Sequence, residues 1–170
     1  MTRPLRAWIG LGANLGQPLV QLQSAVRALA QLPDTRLLAV SPLYGSAPVG
    51  PADQPDYLNA AALLLTSLAP HTLLRELQAI EKAHDRVRER HWGPRTLDLD
   101  LLLYGADVIA TPELKVPHPE LTHRAFVVLP LLDLEPELSL PDGSALKDLL
   151  PTLSGQDIHR VAASGWWQGG

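Results

Sequence analysis

The order in which two kinds of hydrophobic periodicity follow one another is the feature that most constrains the fold. Short apolar runs typical of strands alternate with segments whose apolar residues recur every three to four positions, as in amphipathic helices. Prolines fall between these segments and mark their boundaries. The predicted elements are strands over 5–11, 35–43, 56–66 and 96–104, a helix from Pro18 to about Pro33, and a helix from Pro70 through Ile80.

This order predicts an α+β fold, a ferredoxin-like βαββαβ sandwich with its helices on one face of the sheet. A C-terminal extension of short elements is expected after residue 105, including a short helix over 124–134 that Pro130 disfavours. The 170 residues show no internal repeat and no linker, so we expect one domain over residues 1–170. The tail from Gln156 onward carries no functional signal.

Composition excludes several classes of function. The chain has no cysteine, which removes disulfides, Cys-ligated zinc, iron–sulfur clusters and thiol nucleophiles. The formal net charge of −4 disfavours a binder of nucleic acids or anionic membranes. The longest apolar stretches, such as 60–65, are too short to span a bilayer. We therefore expect a cytoplasmic protein with no nucleic-acid or membrane partner. Separately, we expect a monomer.

Two carboxylates, Asp98 and Asp100, stand two positions apart on an otherwise apolar predicted strand. Strand alternation places both on one face and the leucines between and around them on the other. Two acids this close repel each other and are costly to bury unless a cation lies between them, and oxygen ligands suit Mg²⁺. The alternative is a sheet edge whose acids are solvated or paired with neighbouring arginines.

A basic segment directly precedes these acids. Five of the 14 Lys and Arg residues lie within positions 82–95, together with Trp92. Guanidinium groups match phosphate oxygens, and a polyphosphate carried by Mg²⁺ needs both signs of charge close together. For any single arginine, a solvated loop charge is the alternative. The connections over 45–55 and 84–94 are long for a compact fold, so binding loops are expected there.

Two further patterns carry weaker signals. The glycines within 10–16 are spaced one position too widely for a G-x-G-x-x-G dinucleotide motif, so we interpret them as a tight turn between strand and helix. Tyr57 and Asn59 point to the same face of the third predicted strand. An aromatic ring beside an amide would suit a flat heterocycle, although such residues also occur on ordinary sheet faces.

Four motifs combine these residues: Gly-Ala-Asn-Leu-Gly at 12–16, the run from Gly50 to Asn59, Trp-Gly-Pro-Arg-Thr-Leu-Asp-Leu-Asp at 92–100, and Val-Pro-His-Pro at 116–119 with Arg124 and Phe126 after it. Together they resemble the 6-hydroxymethyl-7,8-dihydropterin pyrophosphokinase family of folate biosynthesis, over about residues 5–142. The resemblance implies a ferredoxin-like α+β fold. It also implies transfer of pyrophosphate from ATP to the pterin hydroxymethyl group, with two Mg²⁺ ions and with AMP as the other product.

The resemblance also implies a role for individual positions. The implied catalytic residues are Arg86, Arg95, Asp98 and Asp100, and the two aspartates would also bind the metal ions. The implied pterin site comprises Ser46, Val49, Tyr57, Asn59, Trp92 and Phe126. The implied ATP site comprises Gln78, Glu81, Arg88, Trp92, Arg95, Lys115, His118 and Arg124, with Gln78 and Glu81 on the exposed side of the second predicted helix. The chain departs from the family pattern at His91, where arginine is usual.

Two other classes of function share the predicted element order. An RNA-recognition module would need several aromatic residues on the third strand, whereas 57–65 offers only Tyr57, and the net charge is negative. A regulatory domain that binds a small ligand without chemistry would leave Asp98 and Asp100 unexplained.

Overall fold

The computed structural model describes residues 3–14, 17–46, 57–85 and 97–168. Within these ranges, no helix combines the length and the apolar character that crossing a membrane requires. The strands are β1 (Leu5–Ala13), β2 (Thr35–Val40), β3 (Leu43–Ser46), β4 (Tyr57–Thr66), β5 (Asp98–Tyr104), β6 (Ile109–Ala110), β7 (Lys115–Val116) and β8 (Ile158–Ala162). The α-helices are α1 (Pro18–Leu29), α2 (Pro70–Asp85), α3 (Ala125–Leu134) and α4 (Leu150–Leu153), and short 3₁₀ helices span Leu121–His123 and Leu146–Leu149.

Six of the strands form one antiparallel sheet. Its order is β5-β1-β4-β3-β8, and β2 pairs with β4 beside β3. The strands β1 and β4 are the longest and pair along their whole length, from Leu5 opposite Thr66 to Ala13 opposite Leu58. The strands β6 and β7 form a separate hairpin. The predicted combination of helices with a sheet is therefore confirmed.

The sheet is covered by helices on both faces, so the prediction of helices on one face is wrong. One core cluster joins Ile9 of β1 to Leu22 of α1 and Leu77 of α2. The other joins Trp8, the residue before Ile9 in β1, to Val128 of α3. Consecutive residues of β1 and β4 are apolar and buried, so both faces of these strands must be shielded from water. Although Pro130 lies inside it, the predicted short helix forms as α3.

The strand predicted over 35–43 is in fact two strands, β2 and β3. The interruption falls at Ser41 and Pro42, and Pro42 has no backbone N–H to donate to a ladder. The Ser41 N–H donates to the Ala61 carbonyl oxygen at 2.8 Å, and the Ala61 N–H donates to Ser41 Oγ at 2.9 Å. At this point of the sheet, the hydroxyl oxygen of Ser41 thus takes the place of a backbone carbonyl oxygen as the acceptor for the Ala61 N–H. The first helix also ends earlier than predicted, at Leu29.

The tail after Gln156 completes the sheet. It forms β8, which pairs with β3 and places Arg160 opposite Tyr44. Beyond β8, Trp166 Nε1 donates to the Ser41 carbonyl oxygen at 2.9 Å, and Gln23 Nε2 of α1 donates to the Trp166 carbonyl oxygen at 3.0 Å. The tail is therefore anchored at both the sheet and α1.

Candidate active site

A cavity of about 610 Å³ lies on the face of the sheet that α3 covers. Its floor is formed by β1, β4 and β5, and its walls by the start of α3, the end of β3 and the residues leading into β8. The carboxylate pair, the Tyr57 and Asn59 pair and the start of α3 all line it. Groups that are far apart in the sequence therefore face one space.

The floor of the cavity is a row of residues in register across three strands. Gly12 of β1 is paired with Asn59 of β4 on one side and with Asp98 of β5 on the other. In the neighbouring row, Gly10 is paired with Asp100. Because neither glycine carries a side chain, neighbouring side chains lie close to the backbone of β1: a Cβ at Gly12 would be 3.0 Å from Asn59 Nδ2, and a Cβ at Gly10 would be 3.3 Å from the Leu102 side chain. The interpretation of these two glycines as part of a turn is wrong, since both lie inside β1.

The amide of Asn59 is held in one orientation. Asn59 is only 5% exposed, and its Oδ1 accepts a hydrogen bond of 3.1 Å from the Oγ of Ser46, itself buried. This bond identifies the other end of the amide as Nδ2, the donor, which lies next to Gly12. Tyr57, two residues earlier on the same face, is partly exposed at the mouth of the cavity. The structure thus brings together three of the residues predicted to bind the pterin.

The predicted metal-binding carboxylates lie at the first and third positions of β5. Asp98 is exposed, and Asp100 is half-buried with its Oδ1 3.8 Å from His118 Nε2. The Glu120 N–H donates to His118 Nδ1 at 3.1 Å, so in the neutral ring the proton is on Nε2, the nitrogen that faces Asp100. The backbone of His118 is fixed by its own hydrogen bond of 3.0 Å to the Leu102 carbonyl oxygen.

The two carboxylates fit a divalent cation that takes part of its coordination from elsewhere. In the part of the chain that the structure describes, no group of three or more His, Asp or Glu side chains could enclose a metal ion. Asp98 and Asp100 share one face and offer only oxygen ligands, which suits Mg²⁺. The remaining ligands would come from a substrate and from water.

Glu81 differs from its predicted position. It is only 8% exposed, whereas the prediction placed it on the exposed side of the helix, and Gln78 is exposed as predicted. The Oε2 of Glu81 accepts a hydrogen bond of 2.8 Å from the backbone N–H of Leu99. Leu99 lies between the two aspartates on β5. This strand pairs with β1 on the side away from Glu81. The buried carboxylate of Glu81 thus satisfies a backbone donor of β5.

The wall opposite the carboxylates carries a cation and an aromatic ring. Arg124 immediately precedes α3, and its Cζ lies 5.5 Å from the centroid of the Phe126 ring, close enough for a cation–π contact. Both side chains line the cavity. Lys115 lies on β7, where its Nζ donates to the Thr111 carbonyl oxygen at 3.0 Å, and it is not part of the cavity lining.

Several predicted site residues cannot be placed. Val49, Arg86, Arg88, Trp92 and Arg95 lie outside the described residues, together with most of the two predicted binding loops. The first two positions of the loop predicted over 84–94 belong to α2, which extends to Asp85.

Sequence reasoning missed other residues that line the cavity. Gly10 and Gly12 carried a readable signal, because two glycines at alternate positions of an apolar strand leave one face without side chains. His123 and the segment 156–158 carried no local signal, since they reach the cavity only through tertiary pairing.

The sequence is similar to a known enzyme family over most of its length. A family model described as 7,8-dihydro-6-hydroxymethylpterin-pyrophosphokinase (HPPK) matches residues 8–136. The chain is 53% identical over 156 residues to the 2-amino-4-hydroxy-6-hydroxymethyldihydropteridine pyrophosphokinase of Pseudomonas aeruginosa, covering 92% of this chain and 96% of that protein. It is 47% identical over 146 residues to the enzyme of the same name from Haemophilus influenzae, covering 86% of this chain and 91% of that protein.

Solved structures show the same fold. A crystal structure of a Plasmodium falciparum HPPK-DHPS variant with SDX-DHP matches with a TM-score of 0.71 at 14% identity, covering 89% of this chain and 46% of that chain. The wild-type HPPK-DHPS of Plasmodium falciparum matches with a TM-score of 0.69, also at 14% identity, covering 89% of this chain and 45% of that chain. This chain thus spans less than half the length of those proteins, and the likeness shows the fold alone. The family model and the curated relatives show more: the chain belongs to the 7,8-dihydro-6-hydroxymethylpterin pyrophosphokinase family, and the predicted ATP-dependent pyrophosphokinase of folate biosynthesis is confirmed.

Proposed function

We propose that the cavity between the sheet and α3 is where this chain transfers pyrophosphate from ATP to the hydroxymethyl group of 6-hydroxymethyl-7,8-dihydropterin. The observation that carries the proposal is the row Asn59, Gly12 and Asp98, in which an amide suited to a heterocycle and a carboxylate suited to a metal ion stand on the two strands that flank β1. Family membership favours this enzyme over an RNA-recognition module or a non-catalytic ligand-binding domain.

The pterin would lie over the Asn59 side of the floor. Because Ser46 already occupies Asn59 Oδ1, the Nδ2 group is the end of the amide available to donate to an acceptor on the pterin ring. Tyr57 and Phe126 line the cavity from β4 and α3, and they would pack against the two faces of the ring. Val49 and Trp92 complete the proposed pterin site on the basis of the family motif.

The ATP phosphates would lie over the carboxylate side. Asp98 and Asp100 would hold two Mg²⁺ ions, which when bound neutralise phosphate charge and polarise the phosphorus under attack. Arg124 offers a guanidinium from the opposite wall, and His118 offers its Nε2 beside Asp100. The family motif adds further nucleotide-binding residues, namely Gln78, Glu81, Arg86, Arg88, Trp92, Arg95 and Lys115.

The reaction demands more positioning than chemistry from these residues. The pterin hydroxyl oxygen forms a bond to the β-phosphorus while the bond from that phosphorus to the α–β bridging oxygen breaks, and AMP leaves with the bridging oxygen. The hydroxyl proton passes to Asp98 or Asp100, both of which face the cavity. Because Asn59 and Asp98 stand on the two strands that flank β1, a pterin on one side and a phosphate chain on the other would be close together.

We also propose that the sheet core is ferredoxin-like. The support is the chain order of β1, α1, β2, β4, α2 and β5, with β1 and β4 central and β5 and β2 flanking them. One domain over residues 1–170, a cytoplasmic location, a monomeric state, and the absence of nucleic-acid and membrane partners remain predictions.

The identity of the nucleotide product tests the proposed reaction. Incubation with ATP, Mg²⁺ and 6-hydroxymethyl-7,8-dihydropterin should yield one AMP for each pterin consumed, because attack at the β-phosphorus leaves AMP. Separation of the nucleotides by ion-exchange chromatography distinguishes AMP from ADP. Stoichiometric ADP would indicate attack at the γ-phosphorus and would overturn the proposed reaction.

A further inference from the structure

The side chain of Gln156 makes two hydrogen bonds to the backbone on either side of Arg124. The N–H of Ala125 donates to Gln156 Oε1 at 2.8 Å, and Gln156 Nε2 donates to the carbonyl oxygen of His123 at 2.9 Å. The two residues that supply these backbone groups are 31 and 33 positions away in the sequence. One primary amide therefore fixes both peptide groups that flank a residue of the cavity wall.

The N-terminus of α3 has no side-chain cap, although the Arg124 carbonyl oxygen accepts hydrogen bonds of 3.0 Å from the N–H groups of Val127 and Val128. Arg124 is the N-cap of α3, is in an extended conformation (φ −126°, ψ 116°), and makes no side-chain capping hydrogen bond. The first N–H groups of a helix lack partners within the helix, and Ala125 supplies the first of them. Gln156 provides an acceptor for this N–H from outside the helix, whereas a Ser, Thr, Asp or Asn side chain at the N-cap would accept from the second or third N–H.

Gln156 is itself held at both ends. Its N–H donates to the carbonyl oxygen of Leu153, a buried residue of α4, at 3.1 Å. Two residues later, Ile158 begins β8 and is paired with Ser46, the residue that orients Asn59. Although Gln156 is exposed, its backbone is therefore held between α4 and β8, and its amide joins this segment to the start of α3.

We propose that Gln156 is a positioning residue for Arg124, and that it holds the guanidinium where the ATP phosphates bind. The inference rests on the proposed role of Arg124 in the function given above. Gln156 does not need to touch a substrate to act, because even a small backbone rotation at residue 124 is amplified at the guanidinium, which lies at the end of a long side chain. Phe126 depends on Gln156 less directly, since it lies within the first turn of α3.

The variant Gln156→Met tests this role, because methionine keeps the length of the side chain and removes both hydrogen bonds. We expect kcat/KM for ATP to fall by about tenfold or more, since small displacements of a catalytic group are costly. The dissociation constant of the pterin, measured separately, should change by less than about twofold, because a substitution at an independent site should leave pterin binding unaffected within about that margin. In the variant, the Ala125 amide proton should exchange faster by NMR, while circular dichroism shows the protein still folded.

A matched control is Gln31→Met, which makes the same change at an exposed residue after α1 and away from the cavity. Gln31→Met should leave kcat/KM and the Ala125 exchange rate unchanged. A double-mutant cycle tests the route: in an Arg124→Ala background, Gln156→Met should change kcat/KM by less than about twofold, because the residue through which it acts is gone.

The outcomes separate this inference from the proposed function. A large loss in Arg124→Ala with no loss in Gln156→Met would overturn the positioning role alone. Wild-type kcat/KM in Arg124→Ala would overturn the role of Arg124 in the reaction and the positioning role with it. Equal losses of ATP and pterin binding in Gln156→Met, or additive losses in the double variant, would show that Gln156 supports the fold rather than Arg124.

Discussion

Gly12 and Asn59 are paired across β1 and β4, and the Asn59 side chain lies over the glycine. A Cβ atom at position 12 would be only 3.0 Å from Asn59 Nδ2. Contacts this short are rarely tolerated, so the absence of a side chain at Gly12 allows the amide to lie close to the sheet. The position of Asn59 Nδ2, the donor proposed to bind the pterin, therefore depends on a glycine in the neighbouring strand.

The first prediction follows from this contact. Gly12→Ala should push the Asn59 amide away from its present place and weaken pterin binding by roughly three- to tenfold, the equivalent of a disturbed hydrogen bond. ATP binding should stay unchanged. Isothermal titration with each ligand separately measures both affinities. Gly165→Ala is a suitable control, because a Cβ there meets only Gln168 Oε1 at an ordinary 3.7 Å, and unchanged pterin affinity in Gly12→Ala would contradict the prediction.

The second prediction concerns Asn59 itself. Asn59→Leu removes the donor and also leaves the Ser46 hydroxyl without its acceptor, so pterin binding should weaken by about ten- to a hundredfold. Ser46→Ala separates the two effects, because it keeps the amide and releases only its orientation; we expect a loss of roughly threefold. The same titrations apply. If ATP affinity fell as much as pterin affinity in Asn59→Leu, the cavity would not be divided between the substrates as proposed.

The third prediction concerns the carboxylates of β5. Asp98→Asn and Asp100→Asn each keep the shape of the side chain and remove a negative charge, so turnover should fall by orders of magnitude at limiting Mg²⁺. Thermal stability of Asp100→Asn should change little, because the side chain is about half exposed and its Oδ1 lies 3.8 Å from His118 Nε2, a long distance for an ion pair.

Asp107→Asn provides the matched control for the carboxylates. Asp107 is exposed just after β5 and does not line the cavity, so the same chemical change there should leave the Mg²⁺ dependence unaltered. Wild-type turnover in either Asp98→Asn or Asp100→Asn would favour the alternative that the pair is only an exposed sheet edge.

Local patterns were sufficient for some of these features. The alternation in β5 predicted that Asp98 and Asp100 share a face, and the spacing in β4 did the same for Tyr57 and Asn59; the structure places all four around one cavity. Strand alternation depends only on neighbours in the sequence. It is therefore readable without knowledge of which strands pair.

Other features depend on contacts between distant segments. The strand β8 is short, and three of its five residues are exposed, so nothing in its own sequence indicates that it pairs with β3. Glu81 has the polarity of an exposed helix residue, and its hydrogen bond from the N–H of Leu99, on a distant strand, is invisible in the local sequence. Gly12 was interpreted as a turn residue because the local sequence does not show why a glycine is needed there. The reason is the side chain of Asn59 on the paired strand, which lies close to Gly12.

The last prediction concerns a hydrogen-bonded cluster that joins β3, α3 and β8. The Tyr44 hydroxyl donates to Asp133 Oδ2, and Arg160 Nη2 donates to Asp133 Oδ1 at 3.2 Å. Burial, followed by the hydrogen bond to Asp133, raises the pKa of Tyr44 above its usual value. A raised pKa means that the neutral phenol stabilises the folded state below about pH 10, and that this contribution is lost as pH rises through the folded pKa.

Tyr44→Phe should therefore lower the free energy of unfolding by about 1–2 kcal/mol at pH 7, and the deficit relative to wild type should shrink as pH approaches 10.5. Urea unfolding at a series of pH values measures this difference. Ser144→Ala is the matched control: it removes a hydroxyl that also donates to a carboxylate, Asp142 Oδ1 at 2.6 Å, but that does not titrate in this range. Its cost should be constant with pH, and an equally constant cost in Tyr44→Phe would show that ionisation of Tyr44 does not limit stability at alkaline pH.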